Sequence, residues 1–226
     1  MNNWDNDQEL EQTLEEIRPL LEDQPENDKN DKIDQKKREQ QDFKKSILLY
    51  FHDLACLLCG MMLILLLCFR AVIVEGDSMN STLIDGDYLL LLNNIFYTDP
   101  QPGDIVVAAK ESFRDGEPII KRVIAIEGQV VDIDFDKGIV YVDGVALDEP
   151  YVYSPTTNSE GVGFPLTVEK GCVFVMGDNR SFSRDSRYPE IGQIDRRQLL
   201  GKAIFLLLPG TDGGTSPRKF YRIGAL

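Results

Sequence analysis

Histidine is almost missing from this 226-residue chain: it occurs once, as His52, inside the most apolar stretch of the sequence. A Ser-His-Asp triad built anywhere outside that stretch is excluded by inventory. Cysteine is nearly as scarce. Cys56, Cys59 and Cys68 share the apolar stretch and leave Cys172 alone elsewhere, so neither a disulfide framework nor a structural zinc quartet can be assembled. Zinc catalysis lacks its His and Cys ligands for the same reason. Cys56 and Cys59 have CxxC spacing, but in a leucine-rich run that spacing reads as packing rather than redox chemistry. No metal site and no cofactor are expected. Net positive charge is missing too. The formal charge is -14, and apart from residues 29–45 no stretch is dense in Lys and Arg, so the chain has no basic face for nucleic acid.

Apolar residues, by contrast, are concentrated in one place. From Ile47 to Phe69 the sequence reads ILLYFHDLACLLCGMMLILLLCF, and a membrane-spanning helix needs about 20 mostly apolar residues. Residues 46–70 are read as one transmembrane helix, too long and too deep in the chain for a cleaved signal peptide. A span running from Leu54 past Arg70 to Val74 is the alternative. Residues 1–45 hold fourteen Asp/Glu against eight Lys/Arg and too few apolar side chains to offset chain entropy, so they are expected to form an acidic, disordered tail. Leu10, Leu14, Ile17 and Leu21 have near-helical spacing, read as a transient amphipathic turn in that tail. Lys36, Lys37, Arg38, Lys44 and Lys45 precede the helix while only Arg70 closely follows it. The positive-inside bias then puts the N-terminus in the cytoplasm and residues 71–226 outside, on a plasma-membrane protein of one span.

The outer region is mainly β. AVIV, DYLLLL, DIVVAAK, PIIKRVIAI, QVVDIDF, GIVYVDG, CVFVMG and KAIFLLL are short apolar or alternating runs. Turns at Asp85-Gly86, Pro102-Gly103, Lys137-Gly138 and Asp143-Gly144 separate them, which predicts an antiparallel sheet. Residues 154–164 and 210–217 read as long mobile loops.

With no histidine available, a nucleophilic serine needs another base, and a lysine made neutral by burial is the remaining type. Lys121 qualifies by pattern: its same-face strand neighbours are Ile119 and Val123, with Ala125 beyond, while Arg122 points the other way. An edge lysine reaching back to solvent fits the same pattern, so the residues alone leave Lys121 a suspect. Ser78, in VEGDSMNSTL, is equally plain taken singly. The segment GDNRSFSRDSR, residues 177–187, is far too polar for a simple turn after the strand CVFVM. It is either a hydrogen-bonded structural network or the surroundings of a catalytic site.

An apolar anchor followed by SMNSTL (78–83), KRVIAIEG (121–128) and GDNRSFSRDSR (177–187) resembles the bacterial type I signal peptidases, over roughly residues 47–208. The resemblance implies an antiparallel β catalytic domain of the signal peptidase type, anchored by one N-terminal transmembrane helix, that cleaves signal peptides from exported preproteins with a Ser-Lys dyad. It implies Ser78 as nucleophile, Lys121 as general base, Ser183 as the group orienting Lys121, and Met79 as part of the pocket beside the nucleophile. Asp178 is then expected to pair with Arg122, and Asp185 with Arg180 or Arg187, in a network that includes Asn179. The implied partners are signal peptides, the lipid bilayer and the secretion translocon.

Two positions depart from the family pattern. Ser81 replaces a usual proline, giving the loop after Ser78 an N–H and more freedom. Gly76 stands where some members carry a serine that donates to the oxyanion, which leaves that task to the Ser78 N–H with another amide or a water. A self-cleaving Ser-Lys regulator is disfavoured by the absence of a DNA-binding head. The rival of a different class is an inactive membrane-anchored β-domain scaffold, in which Ser78 and Lys121 are structural.

Overall fold

The computed structural model describes residues 26–211 and 217–226, together with residues 11, 13–16 and 18. Leu10, Ile17 and Leu21 of the amphipathic turn and most of the 210–217 loop lie outside the described residues. By packing, the chain divides into Met1–Met62 and Leu63–Leu226.

Helix α1 (Glu26–Cys68) begins twenty-one residues before the apolar run that starts at Ile47, so residues 26–45, expected to be disordered, are helical. They contain neither Pro nor Gly and are rich in Lys, Gln, Glu and Arg, all good helix formers. Extending a helix already nucleated by the apolar half adds one hydrogen bond per residue fixed, without a second nucleation cost. The C-terminal part is the one helix among the described residues long and apolar enough to cross a membrane, with mean hydropathy 2.2 over its best window and none of that window buried. Full exposure of such a window separates it from a core helix. The helix stops at Cys68, where the chain turns directly into strand β1 (Phe69–Ile73), so the stretch toward Val74 is strand and not helix.

The second unit is built on two antiparallel sheets. The larger runs in the order β1, β2 (Tyr88–Asn93), β11 (Leu199–Leu208), β3 (Ile105–Ala109), β4 (Pro118–Ile126), β9 (Cys172–Met176), β10 (Ile194–Asp195), and β12 (Gly224–Ala225) pairs with β11. The smaller runs β7 (Val145–Ala146), β6 (Ile139–Val142), β5 (Val130–Asp134), β8 (Leu166–Thr167). All eight runs expected to be strands are strands. The additional β7, β8, β10 and β12 are two-residue pairings, too short to leave a periodic signal. Asp143 and Gly144, both at positive φ (51° and 78°), close the β6–β7 hairpin, the conformation that makes Asp-Gly a hairpin signal.

Residues 154–164 are irregular but tethered, against the expectation of a loose loop. Ser154 bridges to Asn179, and Thr156, fully buried, accepts a hydrogen bond from Arg180 Nη1 at 2.6 Å. A threonine hydroxyl that caps a buried guanidinium cannot be exchanged for solvent without leaving a donor unpaired.

Strand β4 is central and covered on both faces: residues 121–125 are all buried. One face packs with Val106, Val173 and Val175, the other with Val131, Phe174 and Met176. A third apolar cluster gathers Val74, Met79, Leu83, Leu89 and Leu206, so the loop after Ser78 is rooted in core. That loop is also clamped from below. Asp87, fully buried, accepts from the backbone N–H groups of Ile84 (2.9 Å) and Gly210 (2.6 Å) and from both terminal nitrogens of Arg222 (2.9 and 2.8 Å). Arg222 Nη2 also donates to the Thr82 carbonyl at 2.9 Å.

A surface-side pair behaves differently. Burial alone would raise the Asp104 carboxyl, but hydrogen bonds from Lys202, from the Tyr97 phenol and from the Gln101 N–H outweigh it and hold the group below the usual carboxylate range. The sign is then fixed: the stabilisation is complete above the unfolded value of about 3.9 and disappears as pH falls through the lower folded value. Thermal unfolding of wild type and Asp104→Asn should differ at pH 7, and the difference should close as pH falls through and below the lowered folded value. For Asp87→Asn, which leaves Arg222 without its counter-charge, denaturant titration should show a loss of about 3 kcal/mol.

Candidate active site

The Lys121 Nζ lies 2.8 Å from Ser78 Oγ and donates to the Ile120 carbonyl at 2.9 Å. Only 5% of the lysine is exposed. Two elements distant in sequence produce this contact. β4 carries Lys121 on the face turned toward the 74–83 segment, where Met79 and Leu83 anchor the Ser78 loop in the core. Gly76, at φ 82°, turns the chain out of the β1 extension, with its N–H held by Asp85 Oδ1 at 2.8 Å. Met79 is both core and groove wall: it is 1% exposed and borders the groove that contains Ser78.

On the opposite face of β4, Arg122 meets Asp178 through two parallel hydrogen bonds, Nε to Oδ1 at 2.8 Å and Nη2 to Oδ2 at 2.7 Å. The guanidinium also donates to the Gly103 carbonyl at 2.8 Å and lies 4.0 Å above the Tyr151 ring. Burial and the neighbouring Glu149 carboxylate push the Tyr151 phenol up, which keeps it neutral beside these charges.

The polar segment that follows β9 is a set of buried ion pairs. Arg187 pairs with Asp185 (Nε to Oδ1 and Nη2 to Oδ2, both 2.9 Å), and neither side chain reaches solvent. Of the two arginines open as partners for Asp185, Arg180 instead takes Glu149, and its Nε donates to the Gly177 carbonyl. Glu149 gives no sequence signal, because it sits in the unremarkable run ALDEPY. Asn179 joins this cluster to the Ser78 loop: its N–H donates to the Ser78 carbonyl at 3.0 Å and its Nδ2 to the Asp77 carbonyl at 3.1 Å.

Ser183, expected to orient Lys121, makes no hydrogen bond to it in this structure. Its Oγ is buried without a hydrogen-bond partner, and the Lys121 amine is directed at Ser78 Oγ and the Ile120 carbonyl. The hydroxyl nevertheless belongs to the same buried knot. A Cβ placed on Gly177 would overlap both Ser183 Oγ and the Ser78 carbonyl oxygen, so the two residues close around the bare glycine.

Beside Ser78 runs a groove of about 750 Å3, bounded by residues 71–79 on one side and by 117–121 on the other, with Val107 and Phe113 beneath. It has the size and mixed lining of a ligand site.

The family model described as signal peptidase, peptidase S26, matches residues 47–208. The chain belongs to the signal peptidase family. Relatives include the signal peptidase I of Bacillus licheniformis, 35% identical over 153 residues, which are 62% of this chain and 77% of that protein. A probable signal peptidase I-1 of Synechocystis sp. is 37% identical over 149 residues, 62% of this chain and 72% of its own. Signal peptidase I S of Bacillus subtilis is 30% identical over 177 residues, 74% of this chain and 91% of its own. A solved signal peptidase I from Enterococcus faecalis, 31% identical, covers 46% of this chain and 97% of its own with a TM-score of 0.39. Membership makes this chain a serine peptidase. In a peptidase of this family the Gly177 contact has a direct consequence. Gly177→Ala should abolish proteolysis and lower the unfolding midpoint, because neither the Ser78 carbonyl nor buried Ser183 has room to retreat. Assay of peptide cleavage alongside a thermal melt checks both.

Proposed function

We propose that this chain is a membrane-anchored signal peptidase in which Ser78 attacks the peptide carbonyl and Lys121 is the general base. The observation that carries the reading is the 2.8 Å approach of a buried lysine amine to Ser78 Oγ. Burial disfavours an ammonium and favours the neutral amine, and a neutral amine accepts the proton of the serine hydroxyl. The Oγ–C bond forms as the Oγ proton passes to Nζ, giving a tetrahedral oxyanion. That intermediate collapses with cleavage of the C–N bond, and the ammonium returns the proton to the leaving amine. Water then repeats the sequence on the acyl-enzyme. The Ser78 N–H is the oxyanion donor supplied by this chain, with a second amide or a water beside it.

Once Ser78 Oγ is acylated, Nζ needs a new partner. Ser183, whose hydroxyl is buried and unpaired within the same knot, is proposed to accept from it then. Arg122, Asp178, Asn179, Arg180, Asp185 and Arg187 hold the two strands and the loop in register and do not react.

The substrate is the extended segment before the cut. It lies between the extension of β1 and the start of β4 as an added strand, with small side chains at the first and third positions before the scissile bond. The exposed apolar half of α1 supports anchoring in a bilayer, with the polar N-terminal half on the cytoplasmic side and the β domain outside. Ser78 follows the end of α1 by ten residues, which suits a cut made at the outer membrane surface. Encounter with substrates at the secretion translocon follows from that position.

The test is cleavage of a preprotein carrying an Ala-X-Ala site by the full chain in detergent. Ser78→Ala and Lys121→Ala should each lose at least about 1,000-fold in kcat/KM, about 4 kcal/mol of transition-state stabilisation. The wild-type rate should rise with pH through a single base ionisation well below about 10.4. Activity that survives Ser78→Ala, or its absence in the wild type, would leave the scaffold reading standing.

A further inference from the structure

Ser78 is flanked by a second groove, of about 710 Å3, and Asp77 and Phe182 border both. The two grooves therefore meet beside the nucleophile. The first is lined by Val74, Val107, Phe113, Ile119 and Ile120, and suits the apolar and small side chains before the cut. The second is walled by Asn80 and Ser81 of the nucleophile loop, by Asn179, and by Tyr153, Lys219 and Tyr221.

We propose, resting on the peptidase reading above, that this second groove binds the leaving part of the substrate, the first few residues after the scissile bond. We further propose that Lys219 selects an acidic side chain there. Four observations support it. A polypeptide threaded through the first groove with its scissile carbonyl on Ser78 continues past Asp77 and Phe182. Phe182, Tyr153 and Tyr221 stand 77%, 67% and 82% exposed around this one groove, and clustered exposed aromatics mark a contact surface where a lone one does not.

Hydrogen-bonding capacity is also left over. Asn80 Oδ1 and Asn179 Oδ1 are buried and accept no hydrogen bond, although their Nδ2 groups are committed to Asp77 Oδ1 and the Asp77 carbonyl. An incoming backbone N–H satisfies such an acceptor.

The last observation is charge. Arg222 is committed to Asp87, and that clamp fixes the segment bearing Lys219 and Tyr221. Lys219 is the exposed cation of the groove, and it faces a polypeptide that will be in water after release.

The experiment uses the full chain in detergent and a set of preproteins identical through the Ala-X-Ala site. Asp, Asn or Lys is placed in turn at each of the first four positions after the cut. At one position at least, kcat/KM should favour Asp over Lys by about three- to fivefold, the scale of an exposed ion pair. The preference should shrink in about 0.5 M salt, and Lys219→Glu should reverse the Asp-to-Lys ratio measured within that one variant. Tyr221→Ala should raise KM without changing kcat. Equal cleavage of Asp and Lys substrates at all four positions, or a preference untouched by Lys219→Glu, overturns the proposal while leaving the Ser-Lys reading intact. Failure to cut any substrate, the Asn reference included, removes both.

Discussion

A lysine and an arginine stand side by side on a strand that is buried on both faces, and the organisation of the β domain derives from that. Both side chains are largely buried at residues 121 and 122 of β4, and an uncompensated buried charge costs several kcal/mol. Arg122, which cannot lose its proton, must have a carboxylate, and Asp178 meets it with the two-pronged geometry that a guanidinium favours. Lys121 has the other option. With Ser78 Oγ and the Ile120 carbonyl among its hydrogen-bond partners, a buried amine can meet the same cost by giving up its proton, which is what the proposed base role requires. One strand thus carries a permanent cation paired to a carboxylate and, next to it, an amine set against Ser78 Oγ, separated by the alternation of side chains across the sheet.

The density of charge in residues 177–187 has the same origin. β9 pairs with β4, and the chain leaving β9 must place Asp178 under Arg122 and Asn179 against the Ser78 carbonyl. It passes through core while doing so, so each further charge it carries requires a partner. Arg187 finds Asp185 two residues away, and Arg180 finds Glu149 on a distant loop. These pairs are weak arguments for net stability, since two matched apolar side chains would serve as well. Their value is in direction: hydrogen-bonded forks hold the nucleophile loop at one distance from β4, where apolar packing alone allows sliding.

How much of this is legible in the sequence depends on the range of each interaction. The eight longer strands are readable because alternation and Gly-containing turns are local. Ser78 and Lys121 are brought together first by a resemblance; residue patterns leave Lys121 a suspect, because burial on both faces of β4 is a property of the whole sheet. Glu149, Asp87 and Arg222 escape notice because each acts on a residue at least 31 positions away. The early start of α1 is hidden because polar composition alone reads as disorder until the helix propensity of Lys, Gln and Glu next to a strong nucleus is counted. Ser183 is legible only through the resemblance: its hydroxyl is buried in the same knot without a hydrogen bond, so neither local pattern nor contact marks it.

The C-terminal segment separates chemistry from selectivity along the chain. The family match ends at residue 208, after every residue assigned to the dyad and its supporting pairs. Lys219 and Tyr221 lie beyond it, held against the nucleophile loop by Arg222 on Asp87 and Thr82. A segment outside the shared region can change without disturbing the Ser78–Lys121 distance, provided the clamp is kept. The hydrogen bond to the Thr82 carbonyl makes that condition strict, because the arginine that positions the second groove also braces the loop carrying Ser78. Residues 219 and 221 can therefore vary to suit different sequences beyond the scissile bond, while a change at 222 would reach the nucleophile.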